Sequence, residues 1–347
     1  MGASSCNTSS KKSVLLRRDQ IDAHFHDPYI LNGYRPPGDS LWNTLRFCLD
    51  TACNESFNTW SHAVAVLYFI VRFHRVFDSH WHDPVYWPLM CYSLGILAVF
   101  FMSASAHALN SLSKHARHRC FYLDYAGISV YGLGTGQVMY FYCRKFRVSR
   151  SYEEDQWEFH LFVAFLMCSI ATSLLVNLSM CATRRTWCKS KTLYRTASCV
   201  MPFLVNSTPY FHRLWDSSRG RGTVDDHDTT WLPLYQKHVF YLFLTALSNV
   251  LKFPERSYPG LFDAFGQSHH FVHTFIFLAC DDMFEFSLKE MERRKNLIDQ
   301  QLVSPTFYNT LFVTVVSVLV NMCIAAMFDS SPETDTQKKH EKFDKIK

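Results

Sequence analysis

Five polar residues lie where apolar residues dominate, and their types and spacing can do chemistry. Ser103 and His107 are four residues apart, as are His269 and His273, so each pair shares one face of a helix. Asp124 lies in a third apolar stretch. Two imidazoles at i and i+4 have the spacing by which one helix offers two ligands to a metal ion. Adding His107 gives a set that suits zinc, because three neutral imidazoles at about 2.0–2.1 Å leave one coordination position open for water. Asp124 is then placed to accept a hydrogen bond from that water or to act as a general base, and Ser103 to donate to the water or to a substrate oxygen. The bland alternative is that each histidine makes only a polar hydrogen bond between helices. His270 falls off the shared face and reads as an interfacial residue.

The elements that must position these residues are apolar runs of membrane-spanning length, at 60–77, 84–109, 121–143, 157–182, 193–215, 231–250, 270–288 and 307–328. A span needs roughly 20 mostly apolar residues. The second, fourth and eighth runs are the most apolar; the first, fifth, sixth and seventh carry more polar groups. Eight such runs with short polar connections do not fit a soluble core. They are also too long, and lack the period-two alternation, for strands. Trp60, Trp87, Trp157, Trp215, Trp231 and Phe328 stand at run ends, as an interfacial belt requires. Lysine and arginine are in excess on the side of the N-terminal region and of the loops after the second, fourth and sixth runs, which puts the N-terminus in the cytoplasm. With that topology His107 ends a span running inward, while Asp124, His269 and His273 begin spans running outward. All four therefore fall near the cytoplasmic leaflet. Ionisable groups inside spans are costly and mark function by default.

Composition removes other classes. The 347 residues hold 12 Gly and 12 Pro, too few for a collagen-like or Pro/Gly-rich disordered chain. The net charge of +5 is spread over loops flanking the apolar runs, which gives no support for nucleic-acid binding. The 12 Cys form no C-x-x-C pair and read as small buried apolar residues rather than a disulfide framework. No cleavable signal peptide is expected, and the Met1-Gly2 start departs from the myristoylation pattern at Cys6. The sequons at Asn54, Asn177 and Asn206 fall within spans or on the cytoplasmic side and are expected to be unused. Gly132 and Gly136 form a G-x-x-x-G that predicts close helix packing. The basic stretch from Lys11 to Arg18 can touch anionic headgroups or remain a solvated tail.

Several blocks resemble the progestin and adipoQ receptor family. Gly33-Tyr34-Arg35 within the block 29–35 resembles its entry block, and Asn54-Glu55-Ser56 with Trp60-Ser61-His62 resembles the next. Ser103 to His107, Leu123-Asp124-Tyr125, and Ser268-His269-His270 with His273 resemble the motifs that follow, in the same order from about residue 29 to residue 290. The stretch from Ser103 to Gly134 and the eighth apolar run are most similar to the membrane progestin receptor branch, its gamma-like members in particular. His270 stands where the family usually has Gln, and the acidic pair Asp281-Asp282 is a second departure.

The resemblance implies an all-α, polytopic membrane helical bundle with its N-terminus in the cytoplasm. Residues 1–53 form a cytoplasmic N-terminal region and 54–290 a seven-helix core. Residues 291–328 form a loop and an eighth C-terminal span, and 329–347 a polar, disordered tail. It implies zinc on His107, His269 and His273, with Asp124 and Ser103 flanking the metal-bound water. It implies a multi-pass receptor in the cell membrane for a progestin-type steroid, in contact with membrane lipids and acting through a cytoplasmic signalling protein. An apolar, aromatic interior suits such a rigid ligand. The competing implication is a zinc-dependent, ceramidase-like hydrolase of a sphingolipid amide, in which Asp124 and Ser103 are catalytic; a membrane scaffold with structural zinc is a third. Asp281 and Asp282 read either as a water-facing patch near the outer end or as a polar anchor in a ligand cavity.

Overall fold

The computed structural model describes residues 15–330 apart from 39, 51, 147–150, 186–189 and 222. The expectations for Lys11 and Lys12, the first residues and the tail beyond Ser330 lie outside the described residues.

The apolar runs fold as helices because each is long and, apart from Pro202 and Pro209 in the fifth, nearly free of internal breakers, and a helix satisfies its own backbone groups. Ten α-helices follow in order among the described residues: α1 (Leu41–Asp50), α2 (Ser56–Phe77), α3 (Trp87–Leu109), α4 (Lys114–Cys143), α5 (Tyr152–Arg185), α6 (Lys191–Ser218), α7 (Val224–His227), α8 (Leu232–Leu251), α9 (Ser268–Ile298) and α10 (Val313–Ser330). No strand occurs among those residues, only an isolated bridge between Leu16 and Tyr34. The short helices α1 and α7 were not foreseen. Three helical stretches are long and apolar enough to cross a membrane by length and composition: Pro84–Leu109, Tyr152–Arg185 and Tyr308–Ser330. They coincide with the second, fourth and eighth apolar runs.

Helix α4 is the hub, packed by α3, α5, α6, α9 and α10. Close approach is built in by glycine. A Cβ on Gly134 would lie 2.7 Å from Tyr92 Cα, so α3 and α4 touch backbone to backbone. A Cβ on Gly136 would collide with Ser169 Oγ and lie 2.7 Å from Asn206 Oδ1, which seats α5 and α6 on the G-x-x-x-G face. Gly134→Leu is therefore expected to cost about 3 kcal/mol, because a backbone neighbour cannot move aside as a side-chain tip can. Thermal unfolding in detergent at the wild-type temperature would contradict this packing.

The interior is aromatic, with Phe69, Tyr92, Phe100, Phe141, Tyr142, Phe284 and Phe286 all fully buried. Large apolar residues such as Val64 and Leu67 on α2, Phe243 on α8 and Leu319 on α10 are exposed, as lipid-facing surfaces are. Helix α10 is fastened by polar contacts: Gln137 Nε2 donates to Thr314 Oγ1 (3.0 Å) and Asn177 Nδ2 to Asn321 Oδ1 (2.9 Å). The three sequon asparagines, Asn54, Asn177 and Asn206, are buried, which bars glycosylation of the folded chain. The ten described cysteines are free thiols. Asp281 is partly exposed and paired. It accepts from Arg72 and from Tyr68 Oη (2.9 Å), and Glu285 accepts from Arg72 Nη2 (2.6 Å), so the acidic pair's first member ties α9 to α2.

Candidate metal centre

His107 lies in the last turn of α3, His269 and His273 in the first two turns of α9, and the first turns of α2 stand beside them. The rings converge as their spacing predicts. His269 Nε2 is 3.2 Å from His107 Nε2 and 3.3 Å from His273 Nε2, and the ligand atoms of all three lie within 4.8 Å of one another. His107 and His273 are buried, His269 partly so.

Their outer nitrogens decide what the inner ones offer. Glu55, the residue just before α2, uses its carboxylate for the site and not for capping its own helix. His107 Nδ1–H donates to Glu55 Oε2 at 2.7 Å, since a carboxylate can only accept. Asn58 Nδ2 donates to the same oxygen (2.7 Å) and Asn110 Nδ2 to Oε1. Ser61 Oγ donates to the Asn58 carbonyl (3.3 Å) and so accepts from His273 Nδ1 (3.1 Å). Two of the three rings thus carry their proton on Nδ1 and present a lone pair inward. A proton on His269 Nε2 could serve only one of its two neighbours, so at least one pair of lone pairs would face each other. A cation resolves this. Ligands at about 2.0–2.1 Å in tetrahedral geometry stand about 3.3 Å apart, the spacing of His269 from each of the other two. The residues fit a metal ion.

Ser103, one turn before His107 on α3, is buried and makes no side-chain hydrogen bond with the described residues. Asp124 in α4 feels the charges of His107 and Arg184 but makes no hydrogen bond or ion pair with the described residues. The structure thus brings both to the neighbourhood without tying either down. His270 is not interfacial. It is buried, its Nδ1 accepts from Gly266 N (3.0 Å), and its ring packs on Phe57.

Sequence reasoning missed three parts of the site. Glu55 is one. His62 is the second: its ring stacks on His273 (centroids 3.7 Å, interplanar angle 19°), its edge meets Phe100, and neither ring nitrogen has a partner. The signal was present, since His62 is an imidazole inside an apolar run like those singled out. The third is the N-terminal segment, which closes this end of the bundle. Arg35 donates to the carbonyls of His107 (2.6 Å) and Ala108 (2.6 Å) and to Asn110 Oδ1 (2.8 Å), holding the carbonyl end of α3. Gly33 turns the chain toward it at φ 85°, a conformation that side chains disfavour. Burial pushes the Tyr34 phenol up to about 12, so it stays a neutral donor and reaches the Ile30 carbonyl (3.0 Å). Asp263 accepts from the Leu31 and Asn32 amides, and Asp27 pairs with Arg117 (3.0 Å).

Comparison with known proteins agrees with this architecture. The family model for haemolysin-III related proteins matches residues 51–281. The chain is 26% identical over 339 residues to membrane progestin receptor gamma-A of Danio rerio, covering 90% of this chain and 93% of that protein. It is 28% identical over 331 residues to membrane progestin receptor delta of Homo sapiens (93% and 92%) and 29% identical over 334 residues to the Mus musculus delta protein (93% and 92%). With its apolar helices, this makes it a membrane-embedded, multi-pass protein, and the chain belongs to the haemolysin-III related family, in the branch of the progestin and adipoQ receptors.

Proposed function

We propose that this chain is a cell-membrane receptor for a progestin-type steroid with a zinc ion on His107, His269 and His273. Helices α2–α6, α8 and α9 form its seven-helix core, and α10 is an eighth span. The observation that carries the steroid reading is the similarity to membrane progestin receptors over 90–93% of the chain. The lysine and arginine distribution supports a cytoplasmic N-terminus, which sets the metal end at the cytoplasmic leaflet, within reach of a signalling protein.

When bound, zinc supplies Lewis acidity toward a carbonyl oxygen. The chain's own residues do the rest: Glu55 and Ser61 fix two ring orientations, and Arg35 with the N-terminal segment shields the site from bulk water.

A second reading, a ceramidase-like hydrolase, is favoured by one observation. Asp124 lies near His107 with no hydrogen-bond partner among the described residues, so it is placed to take a proton from a nucleophile. Ser103 would donate to the substrate carbonyl.

Saturation binding of labelled progesterone to membranes expressing the chain tests the first reading. The wild type is expected to bind saturably and His273→Ala to lose that binding. No saturable binding by wild-type protein present at the surface would sink the steroid assignment. For the second reading, Asp124→Asn is expected to end ceramide turnover while zinc stays bound.

A further inference from the structure

A cavity of about 210 Å³ opens between the ends of α4, α5 and α10, lined by Lys114, His115, His118, Tyr122, Arg185, Phe328 and Asp329. It is separate from the three histidines. Among the described residues its walls carry two permanent cations and two imidazoles against one carboxylate. That carboxylate is engaged through one oxygen: Asp329 Oδ2 accepts from Arg119 Nε (3.0 Å) and Nη2 (2.7 Å), while Oδ1 lies 3.4 Å from His115 Nε2 without a hydrogen bond among the described residues. Lys114 pairs with Asp22 at the rim (3.1 Å), and Arg185 donates to the Phe328 carbonyl (2.6 Å), which fastens the end of α10 to α5.

Tyr122 supplies an independent observation. It is 1% exposed, lines the cavity, and its hydroxyl has no hydrogen-bond partner among the described residues. A buried hydroxyl left unpaired is costly, so an acceptor is expected to enter the cavity. A phosphate brings three or more acceptor oxygens and up to two negative charges to Tyr122, Lys114 and Arg185 together, more charge than a carboxylate offers.

We propose that this cavity binds a phosphate group, in the first place the headgroup of an anionic phospholipid. Basic pockets between the ends of membrane helices hold such headgroups. Exposed apolar side chains run back from the pocket along α10, with Met327, Val320, Leu319 and Val316 offering a surface to acyl chains. Placement in the cytoplasmic leaflet rests on the topology proposed above; the pocket itself does not.

The test uses the purified full chain in detergent. Its probes are dioctanoyl phosphatidic acid, dioctanoyl phosphatidylcholine and inorganic phosphate. Phosphatidic acid is expected to bind saturably and in preference to the zwitterionic lipid. Lys114→Gln should weaken it about fivefold, the effect of one cation near an anionic headgroup. Tyr122→Phe should weaken it about tenfold, the loss of one hydrogen bond to a charged acceptor; no partner among the described residues is lost with that hydroxyl. Asp329→Asn should strengthen binding, because it removes the one carboxylate among the described lining residues. Inorganic phosphate competing as well as the lipid would keep the phosphate site and assign it to the free ion. Equal binding of both lipids, or variants indistinguishable from wild type, would overturn the proposal. Because the probes reach both ends of the protein in detergent, failure here is distinct from an error in topology.

Discussion

His269→Ala and His273→Ala are each expected to empty the metal centre, while His270→Ala keeps it filled. Purified protein should fall from about one zinc per chain to below about a tenth in the first two variants, read by elemental analysis. The contrast between adjacent residues follows from geometry. His269 Nε2 stands 3.2–3.3 Å from two other imidazole nitrogens, whereas His270 turns away to accept from the Gly266 amide. Two imidazoles alone hold zinc weakly, and among the described residues no cysteine joins the three-histidine group to replace the third. His270→Ala removes a buried ring, so it is expected to lower stability without lowering zinc content. Equal zinc loss in all three variants would mean that the substitutions act through folding and not through coordination.

Glu55→Gln is expected to weaken zinc binding about 10- to 100-fold, the usual cost of removing a carboxylate behind a ligating histidine. Both Glu55 oxygens receive donors: one takes His107 Nδ1–H and Asn58, the other Asn110. A glutamine keeps the volume but has one acceptor oxygen, and its amide hydrogens meet either the imidazole N–H or the Asn110 amide. The His107 ring then loses its fixed tautomer or its fixed orientation. Competition with a chromogenic zinc chelator measures the change, and thermal unfolding of the metal-free protein separates it from misfolding. Affinity within about twofold of wild type would show that Glu55 only anchors the start of α2.

The helices were legible because long apolar runs without strand alternation announce them, and three are apolar enough to cross a membrane. The three histidines were legible because i, i+4 spacing and common depth are local properties. The supporting residues were not. Glu55 reads in sequence as a charge flanking a span, and nothing nearby marks His107, 52 positions away, as its partner. Arg35 reaches the same helix end across 72 positions. Asp281 is partly exposed, as one of its two readings had it, but its partner Arg72, 209 positions distant, left no local mark. His62 followed the same rule as the other histidines but sat at the start of a less apolar run, where a polar residue draws less notice. His270 was misplaced because helical phase tells which face a residue shares, not what covers the opposite face; here Phe57 and the loop at Gly266 bury it.

X-ray absorption at the zinc edge of the purified full chain tests the central claim most directly. The account predicts a first shell of nitrogen and oxygen with the signature of about three imidazoles at about 2.0–2.1 Å, lost in His273→Ala. A shell containing sulfur at about 2.3 Å, or protein that folds and holds no zinc, would contradict it.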